Sequence, residues 1–188
     1  RDVCISRPWL VWIIGFSLWR VWVDAMHTLD MGVYQIVCAC ALVELVDERV
    51  WPCATHEEGI TKAYREYKAW CKSVGTTPCH KFKWKKTLNA PDGPEFTQHA
   101  AKAAQMRWLV RWLHDVTSTK GRGEGRHGAL RRILFLCWSS FEDICDRNGR
   151  FIGEEDLESL ASFAEGALGC HSELAEEAAQ LNSQRWKW

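Results

Sequence analysis

No excess of charge of either sign marks this chain: 24 lysines and arginines stand against 24 aspartates and glutamates. That balance excludes a globally basic surface built to coat a polyanion, so any contact with nucleic acid has to be made by a local cluster. Long hydrophobic runs are also missing. The most apolar stretch, Pro8 to Val23, falls short of the ~20 residues that cross a bilayer and is broken by Gly15, Ser17 and Arg20. There is no recognisable signal peptide, no paired CxxC or HxxxH spacing and no internal repeat of constant length. Nine cysteines are present, but their odd number and irregular spacing argue for reduced thiols rather than a disulfide framework. The expectation is a nuclear or cytoplasmic protein, not secreted and not membrane-bound. Prolines are few, and three of the five fall between 76 and 94.

What is abundant is apolar and aromatic. At 188 residues, 47% of them hydrophobic and 12 of them tryptophan, the chain is long enough for one compact domain with an aromatic-rich core. Its periodicity is mostly helical. From about Thr28, Met31, Val33, Tyr34, Val37, Cys38, Ala41, Leu42 and Leu45 recur at three- and four-residue spacing, with Thr28 or Asp30 as candidate cap. A capping box at Thr55 and Glu58 opens a second helix that stops at Val74-Gly75. Residues 76 to 94 read as a linker. Pro94 is expected to open a third helix over about Glu95 to Val116. A fourth over His127 to Asn148 carries the cleanest amphipathic stripe. The last helices span about Glu154 to Gln184, with Gly166 and Gly169 as sites of a kink or break.

The N-terminal stretch differs. Leu18, Trp19, Val21, Trp22 and Val23 are mostly aromatic or β-branched and read as a short buried strand, with Asp24 at its C-terminal end. The fold class expected is therefore mainly α: a short N-terminal strand or hairpin followed by a helical array.

The pattern Asp-x-Met-His-x-Leu-Asp-x-Gly-Val, here Asp24, Met26, His27, Leu29, Asp30, Gly32 and Val33, resembles the segment around the second catalytic aspartate of RNase H-like DDE/D transposases, closest to the CACTA-like and hAT-like groups. The stretch His99 to Val116 and the closing Arg185 to Trp188 also resemble transposon-derived proteins. The resemblance implies two regions: residues 1–30 as partial RNase H-like core carrying Asp24, and 31–188 as the helical insertion that separates the second acid from the third. It implies that Asp24 is catalytic and a metal ligand, with His27 in an outer shell. The first aspartate would lie upstream of Arg1 and the glutamate downstream of Trp188, and a chain opening on Arg1 reads as part of a longer frame. The partners implied are DNA, for the parent protein, and a second copy in a homodimer.

Such enzymes cleave and join phosphodiesters by in-line attack, with two divalent ions about 3.5–4 Å apart stabilising the entering and leaving oxygens. Hard carboxylate ligands suit Mg²⁺ or Mn²⁺ in the intact parent. One acid out of three holds no ion tightly, so this chain alone is expected to be inactive. Taken without the resemblance, an acid at the start of a helix is simply a cap.

Two basic clusters are candidates for a local nucleic-acid contact. In His80 to Lys86, Lys81, Lys83, Lys85 and Lys86 interleave with Phe82 and Trp84, a mixture that neutralises phosphates while a ring stacks on a base. The second cluster, Lys120, Arg122, Arg126, Arg131 and Arg132, brackets a glycine-rich loop that does not match a phosphate-binding P-loop. A structural reading of both is solvated surface with the aromatics folded inward. Cys38 and Cys40, two apart on a helix, diverge too far to share a zinc, and for Cys53 with His56 and Cys79 with His80 no paired spacing supports a site. Asp146 to Leu160 fails as a calcium loop, because Arg150 and Ile152 stand at ligand positions and Leu157 where a bidentate glutamate is required. The alternative to a transposase segment is a non-catalytic helical domain that binds nucleic acid or a protein partner.

Overall fold

The computed structural model describes residues 26–84, 88, 93–96, 101–121, 123, 125–148, 152–183 and 185–186. The described chain is mainly helical. A π-helical stretch, Met26–Val33, runs into α1 (Tyr34–Asp47), followed by α2 (His56–Ser73), α3 (Ala103–Thr119), α4 (Gly125–Asn148) and α5 (Glu154–Gln180). The expected strand ending at Asp24 lies outside the described residues.

Helix α1 is the stem of the array. Twelve of its fourteen residues are buried, the pattern of a helix enclosed on all sides rather than lying on a surface. Its first turn packs against the end of α4, where the Tyr34 hydroxyl donates to Glu142 Oε1 at 2.7 Å. Its last turn meets the start of α4, where Arg131 reaches Glu44 at 3.0 Å, so the two helices run antiparallel. The same reasoning orients α3 against α4, because Arg107 and Arg111 near the start of α3 pair with Glu142, Asp143 and Asp146 near the end of α4. Arg126 with Glu173, and Arg147 with Asp156, make α4 and α5 an antiparallel hairpin.

Local chemistry explains the ends. Thr55 Oγ1 accepts from the Glu58 N–H at 3.2 Å, while the Glu58 carboxylate reaches back to the Ala54 N–H at 2.9 Å, a capping box displaced by one residue. Helix α2 stops at Gly75, whose φ of 75° suits a residue without a Cβ. After α1 the N–H groups of Arg49 and Val50 close back on Val46 and Leu45 at 3.0 Å each, a Schellman arrangement with Arg49 at the left-handed position.

Three expectations are corrected. Pro94 does not open α3, which begins at Ala103. Residues 93–96 have no regular structure and are tied to α1 by the Phe96 N–H, which donates to Gln35 O at 3.2 Å. Lys102 takes the N-cap position, and its N–H donates to the Gln105 side chain at 3.0 Å. Asp30 does not cap α1. It sits inside the π-helical stretch and is buried. Gly166 and Gly169 do not split α5, which is continuous. A Cβ at Gly166 would come 3.2 Å from Cys137 Sγ, so the missing side chain serves the close approach of α4 and α5.

Candidate functional site

The first basic cluster folds as a strap over α2 and α3 rather than as a linker that reaches out. Tyr64 donates to Cys79 O at 2.9 Å and Gln105 to Pro78 O at 3.0 Å, which fixes where the strap enters. Exposure then alternates along the next residues. Phe82 turns inward and is buried among Tyr64, Tyr67 and Phe96, at ring-centroid distances of 5.1, 5.6 and 5.3 Å. Lys81 and Lys83 point outward and are exposed.

Trp84 ends this run half-buried and stacked on His56, with centroids 4.4 Å apart and planes inclined by 17°. His56 is the first residue of α2, immediately after the Thr55 cap. Its Nε2 lies 2.9 Å from Asp47 Oδ1 and its side chain is 53% exposed. The stack, the two lysines, Thr55 and Glu57 line a cleft of about 770 Å³. Lys85 and Lys86 lie outside the described residues. His56 was considered in sequence only as a weak metal ligand. Its membership of an aromatic pair depends on a chain reversal between 73 and 84 that no local pattern announces.

Among its described residues the second cluster does not form a basic patch. Arg131, expected to face nucleic acid, is fully buried. It holds Glu48 through two bonds of 2.7 Å and Glu44 through one of 3.0 Å, and it donates to Gly121 O at 3.2 Å. Burial explains the pairing, since an unpartnered guanidinium in the interior is strongly disfavoured. Arg126 is exposed but reaches Glu173 and Glu177 on α5. Arg132 is half-buried beside His114, Ser118, Ile133 and Leu136. Arg122 lies outside the described residues.

Around Arg131 the helices build an ionic centre that the sequence reading did not anticipate. His127 lies between two carboxylates, with Nδ1 2.8 Å from Glu177 and Nε2 3.0 Å from Glu44. The Trp186 indole N–H donates to Glu44 at 2.7 Å. The bond to Glu44 is the main reason the His127 imidazole is raised to about 9, burial opposing it. Burial pushes the Glu44 carboxyl up, but the bonds from His127 and Trp186 and the charge of Arg131 outweigh it and hold Glu44 below its ordinary range. Nearby, burial pushes the His171 imidazole down to about 4.

Asp24 lies outside the described residues, and His27 falls within the π-helical stretch. Among the described residues no group of three or more His, Cys, Asp or Glu side chains is arranged to hold a metal ion. Among them, too, no helix is long and apolar enough to cross a membrane. No protein-family model, no curated protein and no solved structure matches this chain.

Proposed function

We propose that this chain is the helical middle of a transposon-derived, RNase H-like DDE/D nuclease, acting on DNA as part of a longer parent. The observation that supports this reading is the continuation of the Asp24-to-Val33 motif. Its last eight residues form a helical stretch that leads directly into the most enclosed helix of the array, α1. A helical body rooted immediately behind the second acid is what the resemblance calls for. The motif's second aspartate, Asp30, is buried at the foot of the array, and in this reading Asp24 is the motif's acid for chemistry.

Mg²⁺ or Mn²⁺ would be held by Asp24 together with acids contributed by the parent, and no catalytic step is assigned to this chain alone.

The test is DNA cleavage by the parent protein with and without Mg²⁺. Metal-dependent nicking that disappears on Asp24→Asn, with the variant's thermal midpoint unchanged, is the expected result. An intact parent that nicks DNA equally well as Asp24→Asn would end the catalytic reading.

A further inference from the structure

We propose that the His56–Trp84 stack is a platform for an unpaired nucleotide of single-stranded nucleic acid, with Lys81 and Lys83 holding the adjacent phosphates. The inference goes beyond the nuclease reading and makes no use of Asp24.

Three observations carry it. The two rings are already parallel at 4.4 Å, so the exposed imidazole of His56 offers a flat surface on which a base extends the stack without rearrangement. Stacking of this kind tolerates any base, because each presents a π-face. The two lysines lie one and three residues before Trp84 and face solvent while Phe82 anchors the strap between them. Finally, the cleft of about 770 Å³ lies within the ~300–1,000 Å³ range of sites that enclose a small-molecule-sized group.

Charge decides between a single strand and a duplex. A duplex presents two rows of phosphates and hides the faces of its bases, so it needs a wide basic surface and gains nothing from a stacked pair. Here the cleft carries Glu57 on its lip and Asp47 behind His56, and the chain as a whole has no net charge. Those carboxylates disfavour a second phosphate row, while two lysines are enough for one strand.

The test is fluorescence anisotropy of the whole chain with a labelled oligothymidylate of about a dozen residues and with a hairpin duplex of similar charge. The oligothymidylate is expected to bind at least ~10-fold more tightly than the duplex, and Trp84→Ala to weaken it by ~10-fold or more, since one stacked base is worth that much. Trp84→Phe should recover most of the loss, which a merely unfolded site would not allow. Lys81→Gln and Lys83→Gln should each lower the slope of log affinity against log salt by ~0.7. Asp24→Asn should leave binding unchanged, so failure of the nuclease reading and failure of the platform are separate results. Equal or tighter binding of the duplex, absence of oligothymidylate binding, or indifference to Trp84→Ala would each overturn the proposal.

Discussion

Arg131 and Glu48 meet across the α1–α4 contact as a two-pronged pair, Nη1 to Oε1 and Nη2 to Oε2, each at 2.7 Å. The arginine side chain has no exposure, whereas that of Glu48 is 35% exposed. The two ends of the pair therefore carry different risks. Arg131→Met leaves Glu44 and Glu48 facing a buried apolar group and should destabilise the fold by ~3–5 kcal/mol in urea unfolding. Glu48→Gln should cost only about 1 kcal/mol, because the amide oxygen still accepts and Glu44 and Gly121 O still serve the guanidinium. Equal effects of the two substitutions would show that the pair is not asymmetric in this way.

Stability should peak near pH 6.5. His127 is raised to about 9 by its carboxylate neighbours, so its contribution is complete below the unfolded value of about 6.5 and is lost as the pH rises through 9. His171 is depressed to about 4 by burial, so its contribution is complete above about 6.5 and is lost as the pH falls toward 4. Urea midpoints measured across this range should fall on both sides. His127→Gln should flatten the alkaline limb only, and His171→Phe the acid limb only.

Gly121 ends α3 where the helix presses on α1. A Cβ built there would lie 2.4 Å from Leu45 Cδ2. Gly121→Ala is expected to cost about 1–3 kcal/mol through overpacking, and less in a Leu45→Val background. A double-mutant cycle measures this, and strict additivity would mean that the strain is relieved elsewhere.

Tyr34 is fully buried with its hydroxyl on Glu142, which Arg107 also holds. Tyr34→Phe should lower stability by about 1.5–3 kcal/mol, the range for a hydrogen bond to a charged group. A change under about 0.5 kcal/mol would mean that Arg107 alone satisfies Glu142.

How far the sequence could be read depended on whether a feature was local. The capping box at Thr55 and Glu58, the stop at Gly75 and most of the apolar stripe of α4 are decided within one or two turns and are found where periodicity places them, although Ile133 of that stripe is exposed. The start of α3 was missed because Pro94 is a good first helical residue in isolation, while the Phe96 N–H is taken by Gln35 on a distant helix. Arg131 is placed by helical register rather than by its charge. It shares a helical face with His127, Leu134 and Trp138, spacings of four, three and seven residues that already point inward. Glu44 and Glu48, one turn apart at the end of an apolar helix, were the complementary signal. The His56–Trp84 stack had no such signal, since its two rings belong to different segments.

Trp186 is fully buried and donates to Glu44 across 142 residues of sequence. That separation has a consequence for how the protein is made. At a synthesis rate of ~5–20 residues per second, the end of α1 must wait on the order of ten seconds for the tryptophan that covers it. During that interval the stem helix can pack only against those of α2, α3 and α4 already made, and the bond from Trp186 to Glu44 is added after them. The end of α1 is thus covered by a contact made far along the chain, unlike the helix-to-neighbour pairings of α3, α4 and α5.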